Sequence, residues 1–503
     1  MNRHKAPLYD RLVEHHNRRT ASFHVPGHKN GQGLDPAAES YLGSVMELDV
    51  TEISGLDDLH QPEGVIKEAQ ALAAQCFGAE ESFFLVNGST AGNLAMILSV
   101  CAPGELLLVQ RTVHKSVLNG LALAGARAVF LTPEWDRASG LTFGVSVEEV
   151  ERALAAYPEA KGLFLTNPTY YGLAADLTEL ARLAHSHGIP LLVDEAHGAH
   201  FGFHPDLPPS ALSCGADAVV QSTHKMLTAL TMGGMLHLQG SRVNRHLIRH
   251  NLGVVQSSSP SYPLMASLDL SRRQLHTRGE EWIESGLRVL RQLRREIREM
   301  PDWEMIDRDG AASYSALDPF KLTLRMKGNR LSGFELQGKL EACGCMAEMA
   351  DIRYVLLCCS LATTKEEADR LLEALHKITR EEAPNKQENG LLSTNIPNKP
   401  IFLPLSAPVS FARPVPGAST KVKALELEQC TGRVAAEMVI PYPPGIPVLY
   451  PGERITAAAV KELAGLRDRG ARFQGARDPQ LRTLQIEEDG PNGWNAPISP
   501  HTI

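Results

Sequence analysis

The sequence predicts an α/β fold: a mostly parallel sheet flanked by helices, followed by a smaller α+β domain and a C-terminal domain. Three observations predict it. From about residue 80 to 240, short apolar runs alternate with amphipathic stretches, the rhythm of strand–helix–strand units that leave helices on both faces of a sheet. After about residue 275 that rhythm ends. Polar residues able to do chemistry stand directly behind the apolar runs, where such a sheet binds its ligands.

Residues 83–86, 106–109, 128–131, 163–166, 190–194 and 218–221 each read as a buried strand. Among the intervening helices 177–187 is the clearest, with Leu177, Leu180, Ala181 and Ala184 at helical spacing. Asp176 is placed to cap its start and Gly188 to end it. Residues 282–300 read as a long helix, followed by strands near 321–326 and 353–358. Thr363 and Glu366 have the spacing of a capping box ahead of a helix with Leu371, Leu372, Leu375 and Ile378 on one face. The polar stretch 383–400 carries Pro and Gly without periodicity and reads as a linker. The expected domains are 1–275 (an N-terminal arm and the major domain), 276–382, and 401–503 after the linker. The last twenty residues read as loosely ordered.

A chain of 503 residues exceeds one ordinary core. Its 43% apolar and 21% charged residues are those of a soluble globular protein. No apolar run is long enough for a membrane helix, and the N-terminus lacks the apolar stretch of a secretory signal. A net charge of −8, with basic residues scattered, gives no footprint for nucleic acid. The eight cysteines form no C-x-x-C pair, which points away from zinc ribbons and towards the reducing cytoplasm.

Four segments carry chemistry. Gln221-Ser222-Thr223-His224-Lys225 follows a strand, so Lys225 is poorly placed to reach water, and burial favours the neutral amine that an aldehyde needs. Ser222 and His224 stand beside it as phosphate partners. A surface lysine in a turn is the competing reading. Asp194, in Val193-Asp194-Glu195-Ala196-His197, is a carboxylate able to keep a pyridine nitrogen protonated. A helix cap, or a metal cluster with His197, His200 and His204, is the alternative there, although the spacing matches no zinc pattern and no metal is expected. In Asn87-Gly88-Ser89-Thr90-Ala91-Gly92-Asn93, small residues ahead of a helix suit an anion, with Ser89 and Thr90 as donors; an ordinary glycine turn competes. His114 follows the strand 106–109 and could stack on a planar ring or simply end a loop. The four gain force by standing at strand ends of one sheet.

These segments resemble the Orn/Lys/Arg decarboxylase family of fold-type I enzymes dependent on pyridoxal 5′-phosphate (PLP). The similarity covers nearly the whole chain, from Phe23-His24-Val25-Pro26-Gly27-His28-Lys29 through Asp49-Val50-Thr51-Glu52 and Gly55-Leu56-Asp57-Asp58-Leu59-His60 to Pro441-Tyr442-Pro443-Pro444-Gly445-Ile446-Pro447. It implies a seven-stranded-type sheet, Lys225 as the Schiff-base lysine, Asp194 on the pyridine nitrogen and His114 stacked on the ring. It also implies that Ser89, Thr90, Ser222 and His224 hold the phosphate, with His197 in the cofactor wall where long-branch members carry Trp. The short branch, without an N-terminal receiver-like domain or its ring assemblies, is implied, as is a homodimer or higher homo-oligomer.

The implied reaction is decarboxylation of a basic amino acid, arginine first, then lysine or ornithine, with His224 or Lys225 as the proton donor. Asp57, Asp58 and Glu437 are candidates for the substrate's distal cation, each equally readable as a solvated carboxylate. An aminotransferase, using Arg325 or Arg353 for the α-carboxylate, and a non-catalytic homologue are the rival readings.

Overall fold

The structure is a computed structural model that describes residues 1–308, 314–382, 407–411, 422–442, 447–468 and 470–488. Among these, eight strands form one sheet. Its order is Glu81–Leu85, Gly234–Leu238, Ala218–Gln221, Leu191–Asp194, Leu163–Thr166, Leu106–Gln110, Arg127–Leu131 and Val409–Ser410. From Ala218–Gln221 to Arg127–Leu131 neighbouring strands run parallel. Gly234–Leu238 is antiparallel to both its neighbours, and Val409–Ser410 closes the far edge antiparallel. Side chains alternate across the sheet: Leu106, Leu108, Val129 and Leu131 enter one apolar cluster, Leu107, Val109, Ala128 and Phe130 the other. Both faces are covered, which is why these strands read as continuous apolar runs.

All six expected strands are present, but two more were not foreseen. Gly234–Leu238 is buried throughout, yet His237 interrupts its apolar run. The ring bridges Ser82 Oγ at 2.7 Å and Gln221 Oε1 at 3.2 Å, and burial holds it neutral, its pKa down to about 3. Val409–Ser410 comes from beyond the expected linker, itself outside the described residues.

The helix Gly88–Val100 lies tightly on the sheet. A Cβ at Gly92 would stand 2.4 Å from Val220 Cγ2, so only glycine permits this approach. The helix Thr178–Ser186 starts two residues after Asp176, whose carboxylate accepts from Thr178 N at 2.9 Å.

The long helix is longer than expected, Tyr262–Glu299, with a kink at Arg278. An edge at residue 275 therefore falls inside it. It leads to a four-stranded antiparallel sheet of Trp303–Met305, Lys321–Met326, Val355–Cys358 and Met349–Ala350, backed by helices Gly333–Ala342 and Lys365–Glu381. The capping box is one residue later than the sequence suggested: Thr364 and Glu367 make it, while the Thr363 hydroxyl accepts from Ser360 N.

Beyond residue 422, Leu427, Val439, Leu463 and Ile486 belong to a separate apolar cluster around the helix Ala457–Asp468. The strand Thr483–Glu487 pairs with Val422–Glu426, so the first part of the tail expected to be loose is a strand; residues 489–503 are outside the described ones.

Candidate active site

At the carboxyl ends of the parallel strands lies a cavity of about 340 Å³, within the range of small-molecule sites. Its walls come from all three parts of the chain. Ser89, His114, Asp194, His197 and Lys225 line it from the major sheet, Phe334, Asp351 and Ile352 from the small module, and Glu453 and Glu462 among others from the C-terminal part.

Asp194 ends its strand, buried at 3% exposure. Its Oδ1 accepts from Ala196 N at 3.1 Å and its Oδ2 from Asn93 Nδ2 at 2.8 Å. A carboxylate has about four acceptor positions, so capacity remains on the cavity side. Asn93 was quoted in the sequence motif but given no part. It lies fully buried on the helix Gly88–Val100 and also donates to Ser116 Oγ at 2.9 Å. Ser116 Oγ is 2.8 Å from His114 Nδ1, and Ser116 N donates to the same nitrogen at 3.2 Å. His114 thus caps the helix Lys115–Ala124, and burial lowers its pKa. Nδ1 accepting from the backbone leaves the ring held by a network that also orients Asp194.

Lys225 sits on the single helical turn Thr223–Met226 after the strand Ala218–Gln221. Its Nζ is 2.9 Å from His197 Nε2 and 5.4 Å from the centre of the Tyr170 ring. Burial lowers its pKa, with Lys321 adding to the effect and Asp194 opposing it. His197 is buried, its ring 4.2 Å from that of Tyr170. Burial, then the amines of Lys225 and Lys321, hold its pKa well below the ordinary histidine value.

Ser222 donates its hydroxyl to Ser89 Oγ at 2.8 Å. The two meet at the start of the helix Gly88–Val100, where Asn87 provides no side-chain cap. The first turn of a helix, with its dipole and these two hydroxyls, is a setting that suits an anion. Gly88 turns the chain there with φ +71°, and a Cβ at Gly234 would stand 2.7 Å from Gln221 O, so the backbone closes tightly around the spot.

Other sequence candidates stand elsewhere. Thr90 is exposed and does not line the cavity. His224 turns its Nδ1 to Gly233 O at 2.9 Å, also away from the lining. Asp57, with φ +71°, spends its carboxylate on the N–H groups of Asp58, Glu63, Gly64, Ile66 and Lys67. Asp58 accepts from His60 N, and Glu437 from Arg477 N and Gln485 N. These three acids organise loops and do not face the cavity within this chain. The three histidines weighed as a metal cluster separate, His200 to Asp318 and His204 to Glu284, while His197 meets the lysines. Arg325 is held by Glu304 and Arg353 reaches Gly140 O; neither lines the cavity.

The acids that do line it, besides Asp194, were not singled out from sequence. Asp351 is taken up by the Tyr171 hydroxyl and the N–H groups of Arg353 and Tyr354. Glu453 forms a buried ion pair with Arg111 at 2.6 Å. Glu462, on the helix Ala457–Asp468, faces the cavity with no hydrogen bond or ion pair to any described residue. Burial raises its pKa, opposed by Arg111.

Comparison with known proteins places the chain in a family. The family model for the Orn/Lys/Arg decarboxylase major domain matches residues 6–310, and that for the family's C-terminal domain matches 415–490. The chain is 45% identical to the uncharacterized protein YaaO of Bacillus subtilis, over 96% of this chain and 99% of that protein. It is 37% identical to an arginine decarboxylase of Bacillus anthracis, over 97% of this chain and 98% of that one. Among solved structures, the lysine decarboxylase LdcF of Francisella novicida superposes with a TM-score of 0.79 at 20% identity, covering 96% of this chain and 81% of that one. Lysine decarboxylase A of Pseudomonas aeruginosa gives 0.77 at 23% identity, covering 96% and 80%. From matches that span both ends of the molecule, the chain belongs to the Orn/Lys/Arg decarboxylase family.

Proposed function

We propose that this chain decarboxylates arginine, releasing carbon dioxide and agmatine, with pyridoxal 5′-phosphate as its cofactor. The observation that carries the reading is the shared cavity: a lysine with lowered pKa, a buried carboxylate with spare acceptor capacity and an uncapped helix start all face it. That set fits PLP. Ser89, Ser222 and the helix N-terminus would hold the phosphate, Asp194 the proton on the ring nitrogen, His114 a face of the ring, and Lys225 the aldehyde. When bound, the protonated ring accepts the electron pair left as the bond to the carboxylate breaks.

The residues of the chain supply the rest. Asn93 and Ala196 N keep the Asp194 carboxylate oriented. The largely desolvated setting of Lys225 favours the neutral amine that binds an aldehyde and that later takes and returns a proton. His224, turned to Gly233 O, leaves this proton transfer to Lys225. His197 lies against Lys225 and would help hold the cofactor there.

Arginine is favoured because curated relatives of 35–37% identity covering nearly the whole chain bear the name arginine decarboxylase. Glu462 is the carboxylate we assign to the distal guanidinium. The pair Arg111–Glu453 satisfies itself, which leaves Glu462 to meet a ligand cation. Lysine or ornithine would meet the same acid, so the test is turnover of the three amino acids with agmatine, cadaverine and putrescine scored separately. Agmatine as the main product supports the reading, and cadaverine or putrescine in its place moves the substrate within the family.

We further propose a homodimer in the cytoplasm. Phe23, Val25 and Tyr41 stand 94%, 64% and 86% exposed on the N-terminal arm, an apolar surface suited to a second copy. No helix among the described residues is long and apolar enough to cross a membrane, and the described cysteines are free.

A further inference from the structure

Lys321 belongs to the small module, yet its amine reaches the active site. The residue is 1% exposed. Its stem is clamped by Gly172, whose φ is +85° and whose Cβ, if present, would lie 2.7 Å from Lys321 Cγ. Lys321 Nζ meets the Sγ of Cys358, its cross-strand partner, at 3.0 Å, and His197 Nδ1 at 3.2 Å. The other ring nitrogen, Nε2, is 2.9 Å from Lys225 Nζ. One imidazole bridges two lysine amines.

A proton count restricts what that bridge can be. Buried between two amines, the ring is neutral, with one N–H and one lone pair. An ammonium has no lone pair, so the amine facing the ring N–H must be uncharged. The surroundings decide which amine that is. The second contact of Lys321, the Cys358 sulfur, is an acceptor, and burial raises the Cys358 pKa so that it stays a thiol. The Asp318 carboxylate is buried close by. Burial alone would raise its pKa, but His200 and Lys321 outweigh that and keep it ionised. Lys321 therefore has acceptors and a counter-charge. Around Lys225 stand Asp194, Glu348, Cys358, His197 and Lys321, with burial the largest influence on its amine. His114 and His224 add smaller electrostatic influences on His197.

We infer that Lys321 is a positioning residue for Lys225: its ammonium donates to His197 Nδ1 and fixes the Nε2–H tautomer, which donates to Lys225 Nζ and holds that amine unprotonated. The small module thereby sets the protonation state of a lysine on the major sheet. This rests on the reading of Lys225 as the cofactor lysine, but it concerns the free amine and is measurable without turnover.

The test uses the full chain purified without cofactor. Competitive acetylation with acetic anhydride across neutral to alkaline pH, read at the Lys225 peptide by mass spectrometry, gives the titration midpoint of that amine. Lys321→Met removes charge and donor at similar volume and is expected to raise the midpoint by about one pH unit, so Lys225 labels about tenfold less at a pH below it. Lys321→Arg, which keeps both, is expected to return most of the shift. An unmoved midpoint in folded Lys321→Met overturns the inference. The unsubstituted chain gives a second measurement, because 15N-labelled histidine spectra report the tautomer of His197 directly. A proton on Nε2 is expected, and a proton on Nδ1 overturns the inference whatever the variants do. Borohydride trapping of PLP on Lys225 separates the two levels: trapping with an unmoved midpoint sinks the role of Lys321 alone, whereas no trapping sinks the reading of Lys225.

Discussion

Asn93 Nδ2 stands 2.8 Å from Asp194 Oδ2, and the same amide reaches Ser116 beneath His114. A single buried amide thus ties the carboxylate to the ring that would stack above the cofactor. Asn93→Ala leaves buried polar partners unpaired, which costs about 1–3 kcal/mol. The expected outcome is a lower thermal midpoint together with faster loss of PLP on dialysis. Unchanged PLP retention would show that Asp194 needs no such support.

Glu462 gives the specificity prediction. Glu462→Gln removes the charge but keeps the shape, and a charge-assisted hydrogen bond is worth about 1.5–3 kcal/mol. KM for arginine should therefore rise about ten- to hundredfold with a smaller change in kcat. Glu437→Gln, altering an acid that serves Arg477 N and Gln485 N, should leave KM in place. Steady-state kinetics on both variants separate the two acids.

Packing at Gly92 yields a third prediction. In Gly92→Ala the new methyl meets Val220 Cγ2 at 2.4 Å, and overpacking of this kind costs about 1–3 kcal/mol. Val220→Ala in the same chain removes the obstructing methyls and should recover part of the loss. Denaturant midpoints of the single and double variants check this.

Two buried groups give opposite pH slopes. His237 is held neutral by burial, down to about 3. Below the ordinary histidine pKa the unfolded chain binds a proton that the folded one refuses, so stability falls as pH drops through about 6.5. Relative to His237→Gln, the parent chain should lose about 2 kcal/mol more between about pH 7 and pH 5. Glu195 is the reverse case, raised by burial to about 8. The folded state keeps its proton, so stability that is full below the ordinary carboxylate pKa is lost as pH rises from there to about 8. Glu195→Gln should flatten that decline in a pH series of unfolding curves.

The sheet was legible because its strands are covered on both faces and read as unbroken apolar runs. Gly234–Leu238 escaped because His237, paired to Ser82 and Gln221, places an imidazole inside the core. Lys225, Asp194, His114 and Ser89 were legible as polar residues directly behind strands, and they do share one cavity. What the sequence hid depends on long-range pairing. Lys321 reads as an ordinary strand start, and its place beside His197 is set by a module 124 residues further along the chain. Glu462 lies in a helix of mixed charge, indistinguishable there from a solvated face. Asp57 and Asp58 stood out as carboxylates for a distal cation, but carboxylates in a glycine-bounded turn are equally suited to collecting backbone N–H groups, as they do here.

The most direct measurement reduces the PLP-loaded enzyme with borohydride and maps the modified peptide. The account predicts bleached visible absorbance and a pyridoxyl-phosphate group on Lys225. A label on any other lysine, or full turnover by Lys225→Arg, would contradict it.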